Sequence, residues 1–236
     1  MHMPIPPARK TSVERWRAGY SRVMARDPSD PESLTTRNEA RLWRLIEQRT
    51  HPDADTEAID RRIWDLFGEQ WAVAYTDLAG FSRNAAEFGI VHFLQVIYEQ
   101  KQMLLPVVER HDGILVKCEA DSMLLLFRWP AGAVRCALEM QRTCAQINQR
   151  RKPEEHVLLC VGIGFGPLLR VGNDEIFGAE VNAASKLGED IARDGEILLT
   201  EAARSAIAAQ GEDRWRFTEL GQEAGGSPVN WRLIHG

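Results

Sequence analysis

The sequence has 236 residues, of which 44% are hydrophobic, enough for one substantial core and an appended segment. Its formal charge of -5, from 34 acidic and 29 basic residues, disfavours nucleic acid and anionic membranes as main partners. The amino terminus does not resemble a cleavable signal, and no apolar run approaches the ~18 residues of a membrane span, so we expect a cytoplasmic protein.

Residues 1–70 are predicted to form a loose arm and a helical extension. After the arm MHMPIPPARK, apolar residues recur at helical spacing in three stretches. The first spans residues 13–23, the second follows Pro31 and includes Leu42 and Leu45, and the third spans residues 59–67. We interpret them as short helices that bury apolar faces on the following domain or on a partner, with a sensory role as the alternative.

Residues 71–236 are predicted to form an α+β domain. WAVAYTD is predicted to be a buried strand, and a long helix is predicted from Asn84 to Arg110, kinked or interrupted at Pro106. ILVKC and SMLLLFR follow as strands, then a helix over 130–150 and the strand VLLCVGIGF. This order is the ferredoxin-like βαββαβ plan, an antiparallel sheet with helices on one face.

The remainder of the chain is predicted to add two helices and three strands to this plan. We expect a helix over 179–193, the strand EILLT, a helix over 201–210, and a closing pair, RWRFTEL and VNWRLI. The glycines of VGIGFG lie within a strand pattern, which favours close backbone packing over a phosphate-binding loop. The four cysteines lack CxxC spacing and are expected to be reduced core thiols.

Two acids at strand ends are the first candidate site residues. Asp77 ends WAVAYTD, and Asp121 lies between ILVKC and SMLLLFR. In the predicted topology these strands are neighbours, so the two side chains can converge at one edge of the sheet. Two carboxylates in one cleft repel each other unless a cation lies between them, and Mg²⁺ or Mn²⁺ is the usual cation beside a triphosphate. The alternative is that both are ordinary turn residues.

Three sequence blocks resemble the class III adenylyl and guanylyl cyclase catalytic domain in order and spacing. The blocks are YTDLAGFS, KCEADSMLLLF and VGIGFGPLLRVGNDEIFGAEVNAASKLGEDIARDGEILLT. The resemblance implies a nucleotidyl cyclase that converts a ribonucleoside triphosphate to a 3',5'-cyclic nucleotide and pyrophosphate, using two divalent cations, Mn²⁺ or Mg²⁺. It also implies a head-to-tail homodimer with its active site at the subunit interface.

On one side of that interface, the resemblance implies a metal and phosphate site. Asp77 and Asp121 match the two metal aspartates, and the backbone of Leu78 belongs to the metal site. Phe81 and Ser82 match the loop that binds metal and phosphate. In the family, positioning and electrostatic stabilisation carry the reaction, so no nucleophilic side chain is required.

On the other side, the resemblance implies residues that bind the base and the ribose. Lys117 matches the base-selecting lysine, Glu175 the acid that reads the base, and Asn182 the asparagine that orients the ribose. Asn182 and Lys186 are four apart on a predicted helix and share a face, which places Lys186 where the family usually has a transition-state arginine. The alternative for Lys186 is a solvated helix residue.

The sequence departs from the family pattern at two further points. Ala120 stands where a glycine usually precedes the second metal aspartate, which affects the expected turn geometry. No lysine follows Lys186, so the phosphate-binding lysine that many members carry near the end of the domain is missing.

Glu119 leaves the identity of the base open. Lys117, Glu119 and Asp121 point to the same side of an extended strand. Uracil presents an N3–H donor and an O4 acceptor, which Glu119 and Lys117 match, and guanine is similar at N1 and O6. Lys117 with Glu175 would match adenine or cytosine. Alternatively, Glu119 simply pairs with Lys117.

The KCEAD and NAASKLGED variants also resemble the bacterial pyrimidine cyclases of antiphage signalling, the Pycsar cyclases. This resemblance implies a pyrimidine substrate, UTP ahead of CTP, and a cyclic product that a separate effector reads. The alternatives are an adenylate cyclase making cyclic AMP and a noncatalytic nucleotide-binding module, although retention of both aspartates argues against the latter. A diguanylate cyclase would need a GG(D/E)EF-like turn, and an RNA-binding module would need aromatic central strands, where only Phe127 is aromatic.

Overall fold

The computed structural model describes residues 33–80 and 89–235. By its contacts the chain divides into two compact units, residues 1–66 with 171–173 and residues 67–170 with 174–236. The first predicted helical stretch, residues 13–23, and the candidate site residues Phe81 and Ser82 lie outside the described residues. The division at residue 70 stays a prediction. Within the described ranges, no helix is long and apolar enough to cross a membrane.

Two helices are described in the first unit, where the second and third apolar stretches were predicted. They are α1 (Ser33–Arg49) and α2 (Thr56–Phe67). Asp55 precedes α2 and accepts a hydrogen bond from the Ala58 N–H at 2.9 Å, as an N-cap does. The Arg49 guanidinium donates to both carboxylate oxygens of Asp60, at 2.5 and 3.0 Å, and this hydrogen bonding lowers the pKa of Asp60. The bidentate pair joins the two helices.

The second unit is built on an eight-stranded sheet. Its strands are β1 (Gly68–Leu78), β2 (Ile114–Glu119), β3 (Ser122–Phe127), β4 (Leu159–Val171), β5 (Glu175–Phe177), β6 (Ile197–Thr200), β7 (Arg216–Leu220) and β8 (Asn230–Ile234). Across the sheet they lie in the order β2-β3-β1-β4-β6-β8-β7, with β5 beside β4. β4 and β6 pair in parallel, whereas β1 pairs antiparallel with β3 and with β4. The predicted α+β fold is confirmed, but the sheet is mixed rather than antiparallel because of the β4–β6 pair, and β1 begins at Gly68 rather than at Trp71.

The helices of this unit are α3 (Ile90–Arg110), α4 (Pro130–Asn148), α5 (Ala179–Lys186) and α6 (Glu201–Ala209). The predicted interruption of α3 at Pro106 is wrong, because the helix continues through it. Pro106 lies on the exposed side of α3, while Leu104 and Val107 beside it are buried and hold the helix on the sheet. The helix predicted over 179–193 is also shorter, because at Leu187 it widens into a π-helical turn, Leu187–Ile191.

The sheet carries a large core on one face and a smaller one on the other. The large core contains residues of α3, α4 and α6 packed on Ala72, Ala74 and their neighbours in the sheet. The smaller core contains Val73 and residues from β2, β3, β4, β5 and α5. Cys136, Cys144 and Cys160 are buried and Cys118 is half-buried, and all four are free thiols. The predicted core position is confirmed for Cys136, Cys144 and Cys160 but not for Cys118, and the reduced state stays a prediction.

Glycines of β4 let α5 approach the sheet at backbone distance. A Cβ on Gly162 would lie 2.1 Å from the Ala184 carbonyl oxygen and 2.5 Å from the Gly188 nitrogen, and a Cβ on Gly164 would lie 2.5 Å from the Glu180 carbonyl oxygen. Real Cβ atoms do not approach backbone atoms so closely. The predicted close backbone packing of VGIGFG is therefore confirmed.

Candidate active site

The antiparallel pairing of β1 and β3 brings the two candidate metal aspartates to one end of the sheet. Thr76 pairs with Met123, so Asp77 at the end of β1 lies beside the start of β3. The Ser122 hydroxyl donates a hydrogen bond to Asp77 Oδ1 at 2.9 Å. Asp121 immediately precedes Ser122 in the turn between β2 and β3. The strand register therefore places Asp77 and Asp121 at the same end of the sheet, and their convergence on one cation stays a prediction.

Asp121 sits in a tight two-residue turn, Ala120–Asp121, because Glu119 and Ser122 form the last pair between β2 and β3. Ala120 has φ of 52°, in the left-handed region that favours glycine. For a residue with a Cβ, this conformation costs about 1–2 kcal/mol. The chain therefore keeps the turn that a glycine would form, at the expense of local strain beside a metal-ligand candidate.

Acidic groups surround the open end of this site. Asp121 is only 6% exposed, and Asp77 is half-buried. Burial raises the pKa of Tyr75, and a hydrogen bond with Ser122 opposes that rise. The carboxylates that raise it further are those of Glu189, Asp77 and Glu119. The Tyr75 hydroxyl thus stays protonated in a negative field that a cation would offset.

The donor set fits a hard divalent cation. Asp77 and Asp121 offer carboxylate oxygens, and Leu78 is the last residue of β1, so its backbone lies at the same end of the strand. Oxygen donors of this kind are those that Mg²⁺ and Mn²⁺ bind. Among the described residues, no group of three or more His, Cys, Asp or Glu side chains could hold a metal.

Lys117 and Glu119 form an ion pair on β2. The Lys117 ammonium lies 3.0 Å from Glu119 Oε1, and their side chains are 37% and 56% exposed. The pairing that was left open as an alternative is therefore present in the structure. It places one donor and one acceptor side by side on the strand that leads to Asp121.

Glu175, Asn182 and Lys186 lie on β5 and α5 and are all exposed. Asn182 and Lys186 follow one another by one helical turn, as the predicted helix requires. The Lys186 ammonium is 2.6 Å from Asp190 Oδ2, and hydrogen bonding to Asp190 raises the pKa of Lys186. Both side chains of this pair are about half exposed, so water weakens the attraction and the lysine can exchange partners.

Several polar residues that hydrogen-bond to the site or to its supporting elements were not predicted from the sequence. Gln100 on α3 is fully buried and donates to the backbone oxygen of Asp121 at 3.2 Å. Its signal in the sequence is a single polar side chain on an otherwise apolar helical stripe. Glu180 on α5 accepts hydrogen bonds from the Phe165 N–H at 3.0 Å and from the Thr200 hydroxyl at 2.6 Å. These bonds tie the start of α5, and with it Asn182, to β4 and β6.

Comparison with other proteins gives two partial relatives. No family model matches the chain. It is 28% identical over 134 residues to a serine/threonine-protein kinase, pkn2, of Myxococcus xanthus. It is 27% identical over 136 residues to the protein named "Putative adenylate cyclase 3" of Rhizobium meliloti. These matches cover 57% and 58% of this chain but only 16% and 23% of those two proteins.

Solved structures share the fold over most of this chain. An adenylate/guanylate cyclase/hydrolase from Silicibacter pomeroyi is 26% identical, with a TM-score of 0.59 over 71% of this chain and 98% of that one. An adenylyl cyclase from P. aeruginosa is 20% identical, with a TM-score of 0.61 over 72% and 95%. The guanylate cyclase domain of RhGC from Catenaria anguillulae, solved with GTP, is 14% identical, with a TM-score of 0.59 over 70% and 96%. The fold of this chain is that of adenylate and guanylate cyclase domains.

Proposed function

We propose that this chain is a nucleotidyl cyclase, which converts a ribonucleoside triphosphate to a 3',5'-cyclic nucleotide and pyrophosphate. The observation that carries the proposal is the placement of Asp77 and Asp121 at adjacent strand ends of a cyclase fold, joined through Ser122. A module that only bound a nucleotide would not need two acids that repel each other at a half-buried position.

Two divalent cations, Mn²⁺ or Mg²⁺, are the proposed cofactors. Asp77, Asp121 and the backbone of Leu78 would hold them at the end of β1. When bound, such cations provide Lewis-acid activation of the attacking hydroxyl and neutralise charge on the triphosphate. The Ser122 hydroxyl donates to Asp77 Oδ1 at 2.9 Å, which orients the Asp77 carboxylate.

The other groups would bind the nucleotide itself. Phe81 and Ser82 follow the Asp77 strand and would contact phosphate, while Asn182 would orient the ribose. Lys186 would leave its exposed pair with Asp190 to contact the phosphates, because a triphosphate carries more negative charge than one carboxylate. No residue needs to form a covalent intermediate, since positioning and charge stabilisation suffice for an in-line attack.

The active unit is proposed to be a head-to-tail homodimer. Glu175, Asn182 and Lys186 are exposed on β5 and α5, so they are available to a second subunit. In that arrangement, the metal carboxylates of one subunit face the ribose-orienting and phosphate-binding groups of its twin. Turnover per subunit should consequently fall on dilution below the dimer dissociation constant.

The favoured substrate is a pyrimidine triphosphate, UTP ahead of CTP. Lys117 and Glu119 lie side by side on β2 and would leave their exposed ion pair to bind O4 and N3–H of uracil, a donor and an acceptor that match. The product would act as a second messenger for antiphage defence, read by a separate effector. Adenylate cyclase activity is the second candidate, favoured by the names of similar proteins, and it would use Lys117 with Glu175.

Incubation of the purified chain with Mn²⁺ and each of the four ribonucleoside triphosphates tests both candidates. We expect cyclic UMP as the main product. Exclusive formation of cyclic AMP would end the pyrimidine assignment and leave the cyclase assignment in place. Asp77→Ala and Asp121→Ala should each abolish cyclisation while far-ultraviolet circular dichroism stays unchanged. Unchanged product formation in either variant would refute the metal assignment.

A further inference from the structure

Gln100 is a polar residue in a position that packing alone would assign to an apolar one. The buried residues of α3 are Phe93, Val96, Ile97, Gln100, Leu104, Val107 and Val108. Gln100 has 0% of its surface exposed and lies in the middle of this stripe. Burial of an amide is unfavourable unless hydrogen bonds replace its contacts with water.

The hydrogen bonding of Gln100 is incomplete in a specific way. Its Nε2 donates to the Asp121 backbone oxygen at 3.2 Å. Because a carbonyl only accepts, this contact fixes the orientation of the amide. In the described part of the chain, Gln100 Oε1 then has no hydrogen-bond partner. An unsatisfied buried acceptor costs about 1–3 kcal/mol, so methionine or leucine would fill this space at lower cost.

The Asp121 carbonyl that accepts from Gln100 belongs to the peptide group between one candidate metal ligand, Asp121, and the residue that hydrogen-bonds to the other. That peptide links Asp121 to Ser122, and the Ser122 hydroxyl donates to Asp77 Oδ1 at 2.9 Å. Rotation of this peptide would move the Asp121 side chain and the Ser122 hydroxyl together. The residue before it, Ala120, has a strained φ of 52°, so the turn benefits from an external restraint.

We infer that Gln100 is a positioning residue, which holds the Asp121–Ser122 peptide so that Asp77 and Asp121 present their carboxylates to one cation site. This inference rests on the proposed function, because it assigns Gln100 to the metal site of that reaction. Loss of a residue that hydrogen-bonds to a metal ligand, without contacting the metal itself, typically lowers metal affinity about 10–100-fold. Loss of the Gln100 amide should therefore act on Mn²⁺ binding and leave the fold intact.

Gln100→Met in the full-length chain tests the inference, because methionine keeps the length of the side chain and removes both polar atoms. Gln102→Met is the matched control, since Gln102 lies on the same helix and is exposed. Mn²⁺ alone is titrated into each protein, and free Mn²⁺ is followed by electron paramagnetic resonance. We expect the Mn²⁺ dissociation constant to rise by about 10–100-fold in Gln100→Met and to stay unchanged in Gln102→Met.

A further variant, Asp121→Asn, distinguishes failure of this inference from failure of the proposed function. If Gln100→Met binds Mn²⁺ like the unmodified chain while Asp121→Asn does not, Gln100 is a packing residue and the inference is overturned. If Asp121→Asn also binds Mn²⁺ like the unmodified chain, the metal site and the proposed function fail together. Should Gln100→Met not fold, Ser122→Ala tests the same linkage and should weaken Mn²⁺ binding, whereas Ser122→Thr keeps the hydroxyl and should restore it. Equal Mn²⁺ binding by these two Ser122 variants would overturn the inference.

Discussion

Replacement of Gly162 by alanine should destabilise the sheet–helix contact that positions Asn182. The added Cβ would lie 2.1 Å from the Ala184 carbonyl oxygen, whereas ordinary contact begins at 3.4 Å. The helix must therefore retreat by 3.4 − 2.1 = 1.3 Å along that direction. Overpacking of this kind costs roughly 1–3 kcal/mol, and the upper end applies because the clashing atoms belong to backbone that cannot rotate away.

The loss of stability expected for Gly162→Ala should be measurable both as a lower Tm and as a lower kcat. A loss of about 3 kcal/mol lowers the Tm of a domain of this size by roughly 6–12 °C. A displacement of about 1 Å at a positioning group can cost on the order of 100-fold in rate, so kcat should fall even where the variant is folded. Gly221→Ala is the control, because no atom lies within 4 Å of its added Cβ. Thermal unfolding followed by circular dichroism gives Tm, and product formation at 20 °C below it gives kcat.

A Tm of Gly162→Ala within about 1 °C of the unmodified chain would refute the backbone clash, since a change that small is typical of surface substitutions, which alter stability by no more than about 0.5 kcal/mol. A large Tm loss with unchanged kcat would support the packing argument and separate α5 from catalysis. An equal loss of Tm in Gly221→Ala would show that the effect comes from glycine replacement in general.

Three other substitutions or treatments give direct tests. Ala120→Gly should raise the free energy of unfolding by about 1 kcal/mol, because glycine adopts a positive φ without strain. Urea denaturation measures this change, and a loss of stability would contradict the turn geometry. Cys118 is half-buried, whereas burial raises the pKa of the other three thiols to about 12. Ellman's reagent at pH 8 should therefore label one thiol quickly in the native chain and four after denaturation. Fast labelling of several thiols in the native chain would contradict the burial of these cysteines. Glu119→Gln should lower kcat/KM for UTP more than for CTP, because an amide can donate as well as accept and is a weaker acceptor for the uracil N3–H than a carboxylate. Product analysis with each substrate measures the two values. Equal effects on both substrates would show that Glu119 does not recognise the base.

Sequence periodicity predicted the parts of the fold that repeat regularly. The short apolar runs in WAVAYTD and SMLLLF predicted the central strands, and apolar residues at helical spacing predicted α4 and α6. Short or irregular elements escaped it. β5 has three residues, too few for a periodic pattern. The π-helical turn at Leu187–Ile191 lies where Gly188 closely approaches the backbone of Tyr75, a tertiary contact that the sequence does not reveal.

The positions of candidate site residues at strand ends could be predicted from the order of the strands. The side-chain pairings between them could not. Asp77 and Asp121 lie at ends of strands whose adjacency follows from the topology, so two sequence positions suffice to bring them together. The pairing of Lys117 with Glu119 depends on rotamers on an exposed edge strand, and alternation alone could offer it only as one possibility.

The role of Gln100 depends on a tertiary contact between α3 and the turn at Asp121, 21 residues away in the chain. Sequence alone marks Gln100 as a buried polar residue of unknown purpose, because many core glutamines serve only to satisfy backbone groups. What separates those two cases is the identity of the backbone group that receives the bond. Here the acceptor is the carbonyl of a candidate metal ligand, in a turn that already carries a strained alanine. A residue whose amide nitrogen restrains such a turn is expected to affect cation affinity more than stability. The Mn²⁺ titration of Gln100→Met measures the first quantity, and its thermal unfolding measures the second.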